Sequence, residues 1–204
     1  MMEYETQALN QGLRFIFGVD EAGRGPLAGP VVAAAVCLKT FDFDNRIDDS
    51  KAVTPKGRLK AFDEIYQKSY VGIGIMSETV IDHVNILKAT YLAMDAALRQ
   101  VMLQIEGSSL QDFNQQVLVL VDGNGFRSAL PYKTRLIIGG DAQSISIAAA
   151  SIIAKVYRDR VMEGYHQVFP QYGFNQHKGY PTAGHRQAIL KHGPSLIHRR
   201  SFTL

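Results

Sequence analysis

Four acidic residues stand at the carboxyl ends of apolar runs, where strands would finish. They are Asp20, Glu21, Asp122 and Asp141. Each has an ordinary structural explanation, because acids also form turns and cap helices at such boundaries. Three separate apolar runs each end at an acid, which nevertheless favours a shared role for these acids in binding a cation. If the carboxylates converge, they repel one another unless a divalent cation neutralises them. Ligation by oxygen alone favours Mg²⁺ or Mn²⁺ over zinc.

Such a cluster, with two divalent ions, can hydrolyse phosphodiester bonds: one ion lowers the pKa of the attacking water and the other stabilises the leaving 3′ oxygen. No nucleophilic side chain is then needed, and the sequence has neither a His-Glu-x-x-His nor a Gly-x-Ser-x-Gly motif. The glycines of residues 23–29 precede an apparent strand, and no Gly-Lys-Ser/Thr follows, which excludes a dinucleotide-binding loop and a P-loop. Because neighbours in a regular strand point to opposite faces, Asp20 and Glu21 can share a metal only if the strand ends or bends near Gly23.

Apolar patterning predicts the elements that position these acids, in the order β-β-α-β-α-β-β-α-α. The predicted strands are residues 13–19, 31–38, 70–76, 117–121 and 135–138. The predicted helices are residues 54–69, a longest helix from Asp82 or Asn85 to about residue 105 that Gly107 ends, residues 144–160 and residues 182–192. A short Gly/Pro connection should make the first two strands an antiparallel hairpin. The fold class is therefore α/β, a mixed β-sheet flanked by helices.

Composition sets the broad class of the protein. The chain has 204 residues, 46% hydrophobic and 20% charged, as in an ordinary globular domain. No apolar stretch is long enough to span a membrane, and the acidic N-terminus does not suit a secretion signal. The single cysteine, Cys37, lies in an apolar run and excludes an internal disulfide. We expect a soluble, cytoplasmic monomer with no membrane partner.

Charge is distributed unevenly along the chain. Residues 1–102 carry 11 Lys/Arg and 13 Asp/Glu, whereas residues 103–204 carry 11 and 6. From Lys155 onwards there are 8 basic and 2 acidic residues, together with five of the six histidines. A basic C-terminal quarter indicates either a solvated face or a polyanionic partner such as nucleic acid.

Eight motifs occur in order along nearly the whole chain. They are DEAGRGPLAG (20–29), DSK (49–51), DGN (122–124), GD (140–141), AASIIAKV (149–156), FPQYGF (169–174), HKGYPT (177–182) and HRRSF (198–202). Together they resemble ribonuclease HII, the type 2 ribonuclease H family. The resemblance implies a single ribonuclease H-like domain over residues 1–204, whose small helical C-terminal part, from about residue 165 to 204, contacts the substrate.

The resemblance also implies an activity. The family cleaves RNA paired with DNA and nicks duplex DNA 5′ to a single embedded ribonucleotide, leaving 5′-phosphate and 3′-hydroxyl ends. Its four catalytic acids correspond to Asp20, Glu21, Asp122 and Asp141, which would hold two Mn²⁺ or Mg²⁺ ions when substrate is bound. By analogy Asp20 bridges both ions, Asp141 joins it on the water-activating ion, and the other two acids hold the second.

Substrate contacts are implied on the same basis. The Gly23-Arg24-Gly25 segment lets backbone groups approach a 2′-hydroxyl closely, and the planar guanidinium of Arg24 can hold a phosphate. The family uses this loop with a tyrosine, here Tyr180, against the sugar at the junction. From the residues alone, a semi-buried packing aromatic is the favoured interpretation of Tyr180.

Further polar residues are candidates for phosphate contacts. Those that share one helical stripe, which is either a solvated face or a track for the phosphate backbone, are Ser144, Ser151, Lys155 and Arg158. Two more phosphate candidates are Lys51 and Lys178. Three further residues are open to two interpretations: His177 as an orienting group or a surface histidine, and Arg199 and Arg200 as anchors of the tail or DNA contacts.

The chain departs from the family pattern at a few positions. Ser146 stands where many relatives have a glutamate, Ala52-Val53 replaces the usual Lys-Leu, and Gly125 stands where a basic residue is common. None of these changes removes a metal ligand. Two other functions fit the same residues: a nuclease of this fold that acts on another substrate such as DNA junctions, and a non-catalytic module that binds hybrids.

Overall fold

A five-stranded mixed sheet forms the centre of the fold. The computed structural model describes residues 1–105, 113–128 and 130–203. The strands are β1 (Phe15–Ala22), β2 (Val31–Leu38), β3 (Ser69–Met76), β4 (Val117–Asp122) and β5 (Lys133–Ile137). Their order in the sheet is β3-β2-β1-β4-β5. The β1–β2 and β2–β3 pairs are antiparallel and the β1–β4 and β4–β5 pairs are parallel, which confirms the predicted hairpin and mixed sheet.

Helices flank this sheet, and five of the seven in the described residues begin at a side-chain cap. They are α1 (Glu3–Asn10), α2 (Pro55–Lys68), α3 (Glu78–Val84), α4 (Ile86–Leu103), α5 (Ile145–Val168), α6 (Phe174–His177) and α7 (Ala183–His192). Side chains that accept a hydrogen bond from the first turn belong to Thr54, Ser77, Asn85, Ser144 and Thr182. Such caps satisfy amides that have no partner within the helix. None of the helices within the described residues is long and apolar enough to cross a lipid bilayer.

Several predicted helix boundaries are wrong. Of the two predicted starts of the helix after β3, Asn85 is confirmed, since it caps α4 with φ +71°, whereas Asp82 lies in the separate helix α3. The predicted end of the helix that starts at Asn85, at Gly107, lies outside the described residues. The longest helix in the described part is α5, with 24 residues, and it continues past the predicted end at residue 160 to Val168. Helices α1 and α6 were not predicted from the sequence.

Two layers of helix cover the sheet. Helix α4 packs on one face against alternate residues of β1, β2 and β4, while α5 and α2 pack on the other face. The helices approach closely where the strands carry glycine: a Cβ on Gly18 would lie 2.0 Å from the Ser146 carbonyl carbon of α5, and one on Gly74 would lie 1.9 Å from the Ala93 carbonyl oxygen of α4. Cys37 is buried and free in the core, as the sequence indicated.

The C-terminal part forms a small helical layer with its own apolar cluster. Its buried residues include Met162 of α5, Phe174 of α6 and Ile189 of α7, packed against Leu27 and Ala28 of the β1–β2 connection. The C-terminal helices therefore pack against the connection between β1 and β2 and hold it in place. This contact places the glycine-rich segment next to the HKGYPT motif.

Candidate active site

Parallel pairing brings two of the acids together at one edge of the sheet. Val19 of β1 lies opposite Val121 of β4, so Asp20 and Asp122 follow at matching positions on adjacent strands. The β1–β4 ladder stops there, and β1 itself ends at Ala22. The strand thus ends just after Glu21, which allows the side chains of Asp20 and Glu21 to line one cleft.

Asp141 reaches the same cleft from a short 3-10 turn, residues Gly140–Ala142, that follows β5. Gly139 adopts the left-handed conformation (φ +65°) that allows the chain to turn there. The Gly140 amide donates a hydrogen bond of 2.7 Å to Asp122 Oδ1, which ties the Asp141 turn to the end of β4. The structure therefore brings the four predicted acids together.

The cleft has a volume of about 410 Å³. Its lining residues are Asp20, Glu21, Ala22, Gly23, Arg24, Gly25, Ser50, Lys51, Asp122, Asp141, Ser151, Lys155 and Tyr180. Lys178, a predicted phosphate contact, is outside this lining: its ammonium group donates to Glu163 Oε1 at 3.1 Å and to the Asn175 carbonyl at 2.6 Å. A larger hollow of about 730 Å³ between α2 and α5 is lined by Phe62, Tyr66 and Tyr157 among others and contains none of the four acids.

Burial and mutual repulsion perturb the acids. Burial raises the pKa of Asp20 well above its ordinary value, and the nearby Glu21 and Asp122 carboxylates raise it further. Burial also raises the pKa of Glu21, although Arg24 opposes this shift. The pKa of Asp141 is raised by burial and then by Asp49 and Asp122, against the opposing charge of Lys51. Perturbed carboxyls that converge in a cleft are typical of functional sites.

Cationic side chains form the rim of the cleft. Arg24 Nη1 lies 3.4 Å from Glu21 Oε1, and Lys51 Nζ lies 3.9 Å from Asp141 Oδ2. Lys155 Nζ contacts Asp159 Oδ1 at 2.8 Å. Because the Lys51 and Arg24 side chains are 83% and 52% exposed, both can turn towards an incoming phosphate.

One serine contacts the most deeply buried acid, and a second serine contacts the first. The Ser151 hydroxyl of α5 hydrogen-bonds the Asp20 carboxylate, an interaction that lowers the pKa of Asp20 against the effect of burial. The Ser50 Oγ lies 2.9 Å from the same Ser151 Oγ. Sequence reasoning did not propose Ser50 as a site residue, and its place in the DSK motif was the signal that could have found it. Ser50 is 5% exposed.

The donor set of the cleft fits a hard divalent cation. All four acids offer oxygen atoms, which Mg²⁺ and Mn²⁺ prefer. Within the described residues, no three His, Cys, Asp or Glu side chains are already close enough to form a finished coordination group. Burial first, and neighbouring carboxylates second, raise the pKa values of Asp20, Glu21 and Asp141, and the positive charge of a shared cation would oppose both effects.

The glycine loop and Tyr180 lie side by side at the mouth of the cleft. A Cβ on Gly25 would lie 3.7 Å from Tyr180 Cε1, so the tyrosine ring sits next to the loop. Tyr180 is 43% exposed, which does not suit a packing aromatic. His177 stabilises the turn that precedes Tyr180. Its Nδ1 accepts a hydrogen bond from the Gly179 amide at 3.1 Å, and its Nε2 lies 2.7 Å from the Tyr172 carbonyl oxygen. His177 thus orients the chain rather than standing free on the surface.

The predicted polar stripe on α5 does not track a phosphate backbone as a whole. Ser144 is buried as the cap of α5, and the guanidinium of Arg158 is buried under the β1–β2 connection. Only Ser151 and Lys155 of the stripe reach the cleft. The prediction was wrong for Ser144 and Arg158 because helical spacing shows which residues share a face but not what covers that face. Arg199 is also buried and anchors the tail, whereas Arg200 is exposed.

Comparisons with known proteins show the family of the chain. The family model described as Ribonuclease HII matches residues 17–204. A ribonuclease HII from Chlamydia trachomatis serovar A is 47% identical over 204 residues, covering 98% of this chain and 87% of the relative. The chain belongs to the ribonuclease HII family.

Solved structures of the family share the fold. The ribonuclease H2 of Pyrococcus horikoshii is 26% identical with a TM-score of 0.69, covering 93% of this chain and 94% of the other. A Bst-RNase HIII structure in complex with Mn²⁺ has a TM-score of 0.66 at 15% identity, covering 96% and 69% of the two chains. The predicted ribonuclease H-like fold is confirmed.

Proposed function

We propose that this member of the ribonuclease HII family is an endonuclease that hydrolyses the RNA strand of RNA–DNA hybrids. It also nicks DNA duplexes 5′ of embedded ribonucleotides and leaves 5′-phosphate and 3′-hydroxyl ends. The observation that carries the proposal is the convergence of Asp20, Glu21, Asp122 and Asp141 in one cleft, beside a glycine loop and an exposed tyrosine. The substrate is a nucleic acid and the enzyme acts as a monomer in the cytoplasm.

The four acids act together as the ligands of two divalent ions, Mn²⁺ or Mg²⁺, when substrate is bound. Such ions lower the pKa of an attacking water and neutralise charge on the leaving oxygen. A bound cation would favour the ionised carboxylates of Asp20 and Glu21, and its positive charge would offset the burial that raises their pKa values. The Gly140 amide holds Asp122 Oδ1 in place, and the Ser151 hydroxyl does the same for Asp20.

The rim of the cleft binds the phosphates of the substrate. Lys51, Lys155 and Arg24 are paired with acids in the free protein and can exchange those partners for phosphate oxygens. These contacts supply affinity without sequence preference, because a phosphate is the same at every nucleotide. Lys178 belongs to the framework of the Tyr180 turn, since Glu163 and the Asn175 carbonyl already hold its ammonium group.

Selection of ribose falls to the backbone of the Gly23-Arg24-Gly25 loop. A 2′-hydroxyl both donates and accepts hydrogen bonds, and backbone groups can meet it closely where no side chain intervenes. Tyr180 lies next to Gly25, so its ring can pack against the same sugar. The proposed site therefore recognises the ribose directly beside the carboxylates that hold the catalytic ions.

A cleavage assay on three labelled duplexes of one sequence tests the proposal. One is all DNA, one has a single ribonucleotide, and one is an RNA–DNA hybrid, each incubated with Mn²⁺, with Mg²⁺ or with EDTA. We expect cleavage of the hybrid and a single nick 5′ of the ribonucleotide, both abolished by EDTA. Equal cleavage of all-DNA duplex would instead indicate a nuclease with another substrate, and binding without turnover under any metal condition would indicate a binding module.

A further inference from the structure

Two buried arginines lie beneath the loop that connects β1 to β2. Arg158 of α5 and Arg199 near the C-terminus are 1% and 3% exposed. Arg158 donates from Nε to the Pro30 carbonyl at 2.9 Å, from Nη2 to the Ala28 carbonyl at 3.1 Å and from Nη1 to the Lys178 carbonyl at 3.0 Å. A single side chain thus joins the end of the loop to the turn that carries Tyr180.

Arg199 holds the other part of the same loop. Its Nη2 donates to the Gly23 carbonyl at 2.6 Å and to the Pro30 carbonyl at 3.2 Å, its Nη1 to the Arg24 carbonyl at 2.9 Å and its Nε to the Gly29 carbonyl at 2.9 Å. The carbonyl groups of Gly23 and Arg24 therefore face the buried guanidinium. Their fixed direction determines how the peptide groups of the Gly23-Arg24-Gly25 segment are presented to the cleft.

This arrangement is costly for the fold, since both guanidinium groups carry the same charge and share the Pro30 carbonyl. Among the described residues, no carboxylate lies within salt-bridge distance of either side chain. Burial lowers the pKa of Arg158 to about 10, and burial together with the Arg158 charge lowers that of Arg199 to about 9. Both remain charged at neutral pH, and backbone carbonyl groups are their main close partners. Arg199 Cζ also lies 5.0 Å from the centre of the Phe202 ring, and the more distant Asp82 and Glu78 charges favour its charged form.

Backbone contacts extend the same connection. The Leu27 amide donates to the Gly179 carbonyl at 2.8 Å, one residue before Tyr180. A Cβ on Gly23 would lie 2.1 Å from Arg158 Nε, so the loop rests directly on the arginine. The glycine loop and the Tyr180 turn therefore form one rigid unit whose shared support is the pair of arginines.

We propose that Arg158 and Arg199 are positioning residues that fix the glycine loop relative to Tyr180, and that this spacing sets the preference for a ribonucleotide over a deoxyribonucleotide. The inference rests on the proposed function, because it assumes that this loop reads ribose. Neither arginine lines the cleft. Their planar forks suit several carbonyl groups at once, which a lysine ammonium cannot match.

Binding to two matched duplexes tests the inference. The variants are Arg158→Lys, Arg199→Lys and Arg199→Gln, each in an Asp20→Asn background so that the duplex stays intact. The ligands are fluorescein-labelled DNA duplexes of one sequence, with and without a single ribonucleotide, and the readout is the ratio of the two Kd values. Arg160→Gln is the matched control, since Arg160 lies on the same helix with its guanidinium over the Phe62 ring.

We expect the Kd of the ribonucleotide duplex to rise about tenfold in the arginine variants, while the Kd of the all-DNA duplex changes little. The preference for the ribonucleotide duplex, expressed as the ratio of the two Kd values, should therefore be lost. The lysine variants should fall between wild type and Arg199→Gln, and Arg160→Gln should keep the ratio. A variant that merely unfolded in part would weaken both duplexes equally. If Arg199→Gln does not fold, the two lysine variants decide the question.

An unchanged ratio in folded lysine variants overturns the positioning role. A different result, in which the Asp20→Asn protein with both arginines already fails to prefer the ribonucleotide duplex, overturns the proposed reading of ribose instead. The two failures are therefore distinguishable. Melting temperatures of all variants, measured in parallel, show which proteins are folded at the assay temperature.

Discussion

The Ser144 hydroxyl donates a hydrogen bond of 2.5 Å to Glu5 Oε1, which joins α1 to the first turn of α5 across 139 positions of sequence. The Ser146 amide donates to the same carboxylate oxygen at 3.1 Å. Glu5 is fully buried, and a carboxylate at the amino end of a helix interacts favourably with the unpaired amides there. Through this contact α1 holds the helix that carries Ser151 and Lys155 into the cleft.

Replacing Glu5 should therefore destabilise the protein. We expect Glu5→Gln to lower the free energy of unfolding by roughly 1.5–3 kcal/mol, the range for hydrogen bonds to a charged group. Urea denaturation at neutral pH measures the change. Glu3→Gln is the matched control on the same helix, since Glu3 is exposed and bonds only the Gln7 amide group, and it should change stability by less than about 0.5 kcal/mol. Equal losses in the two variants would contradict the capping role.

The Asp20→Asn variant should separate catalysis from stability. We expect cleavage of the hybrid to fall by at least about a hundredfold, because one ligand of the cation and its charge are lost. Without added metal the melting temperature should not fall, since burial and like charges already raise the pKa of Asp20. The asparagine oxygen can still accept from the Glu21 amide, as Asp20 Oδ1 does at 2.7 Å.

The control for this variant is Asp63→Asn, at an exposed position of α2. It should leave cleavage and hybrid binding as in wild type. Binding of the hybrid by Asp20→Asn should stay largely intact, because the rim cations are untouched. Full cleavage by a pure Asp20→Asn preparation would refute the assignment of the four acids.

Two glycines of one loop should respond differently to alanine. Gly23 has φ +101° and its Cβ would clash with Arg158, so Gly23→Ala should destabilise the protein by about 1–3 kcal/mol. At Gly25 the nearest atom to a new Cβ is Tyr180 Cε1 at 3.7 Å, so Gly25→Ala should fold with unchanged stability. Its added methyl group nevertheless stands where the backbone meets the sugar, and nicking at a single ribonucleotide should fall. Thermal melts measure the stability of both variants, and the nicking assay measures their activity. Nicking by Gly25→Ala at the wild-type rate would contradict the proposed role of the loop.

Glu64 should stabilise the protein in a pH-dependent way. Burial raises its pKa, but hydrogen bonds from Lys68, Asn45 and the Asp44 amide outweigh this and lower the pKa from 4.5 to about 2. A lowered carboxyl pKa contributes stability that is fully present above the ordinary value and is lost as the pH falls towards the folded value. The difference in free energy of unfolding between wild type and Glu64→Gln should therefore be largest at neutral pH and should shrink between about pH 4.5 and 2.

Lys68→Gln provides the comparison for that series. Lys68 Nζ donates to Glu64 Oε1 at 2.7 Å, yet Glu64 keeps the Asp44 and Asn45 amides when the lysine is removed. The loss of stability caused by Lys68→Gln at neutral pH should thus be smaller than the loss caused by Glu64→Gln. Denaturant unfolding across the pH range measures both variants, and a pH-independent gap for Glu64→Gln would refute the linkage.

Local pattern was sufficient to identify the strands and the acids that end them. Apolar runs bounded by glycine and acid placed β2 at residues 31–38 as found, and placed the other strands within a few residues. The acids were found because a carboxylate that follows an apolar run can be recognised without knowledge of its neighbours in space. The motif order also indicated the family that the comparisons show.

What the sequence by itself determined was therefore the α/β class, the order of the main elements and the four acids. Tertiary structure alone decided that Glu5 closes α5, that Ser50 reaches Asp20 through Ser151, and that Arg158 supports a loop instead of a phosphate. The physical reason is range. Strand alternation and helix caps depend on residues a few positions apart, whereas the partner of a buried polar group is selected by the packing of segments more than a hundred residues apart.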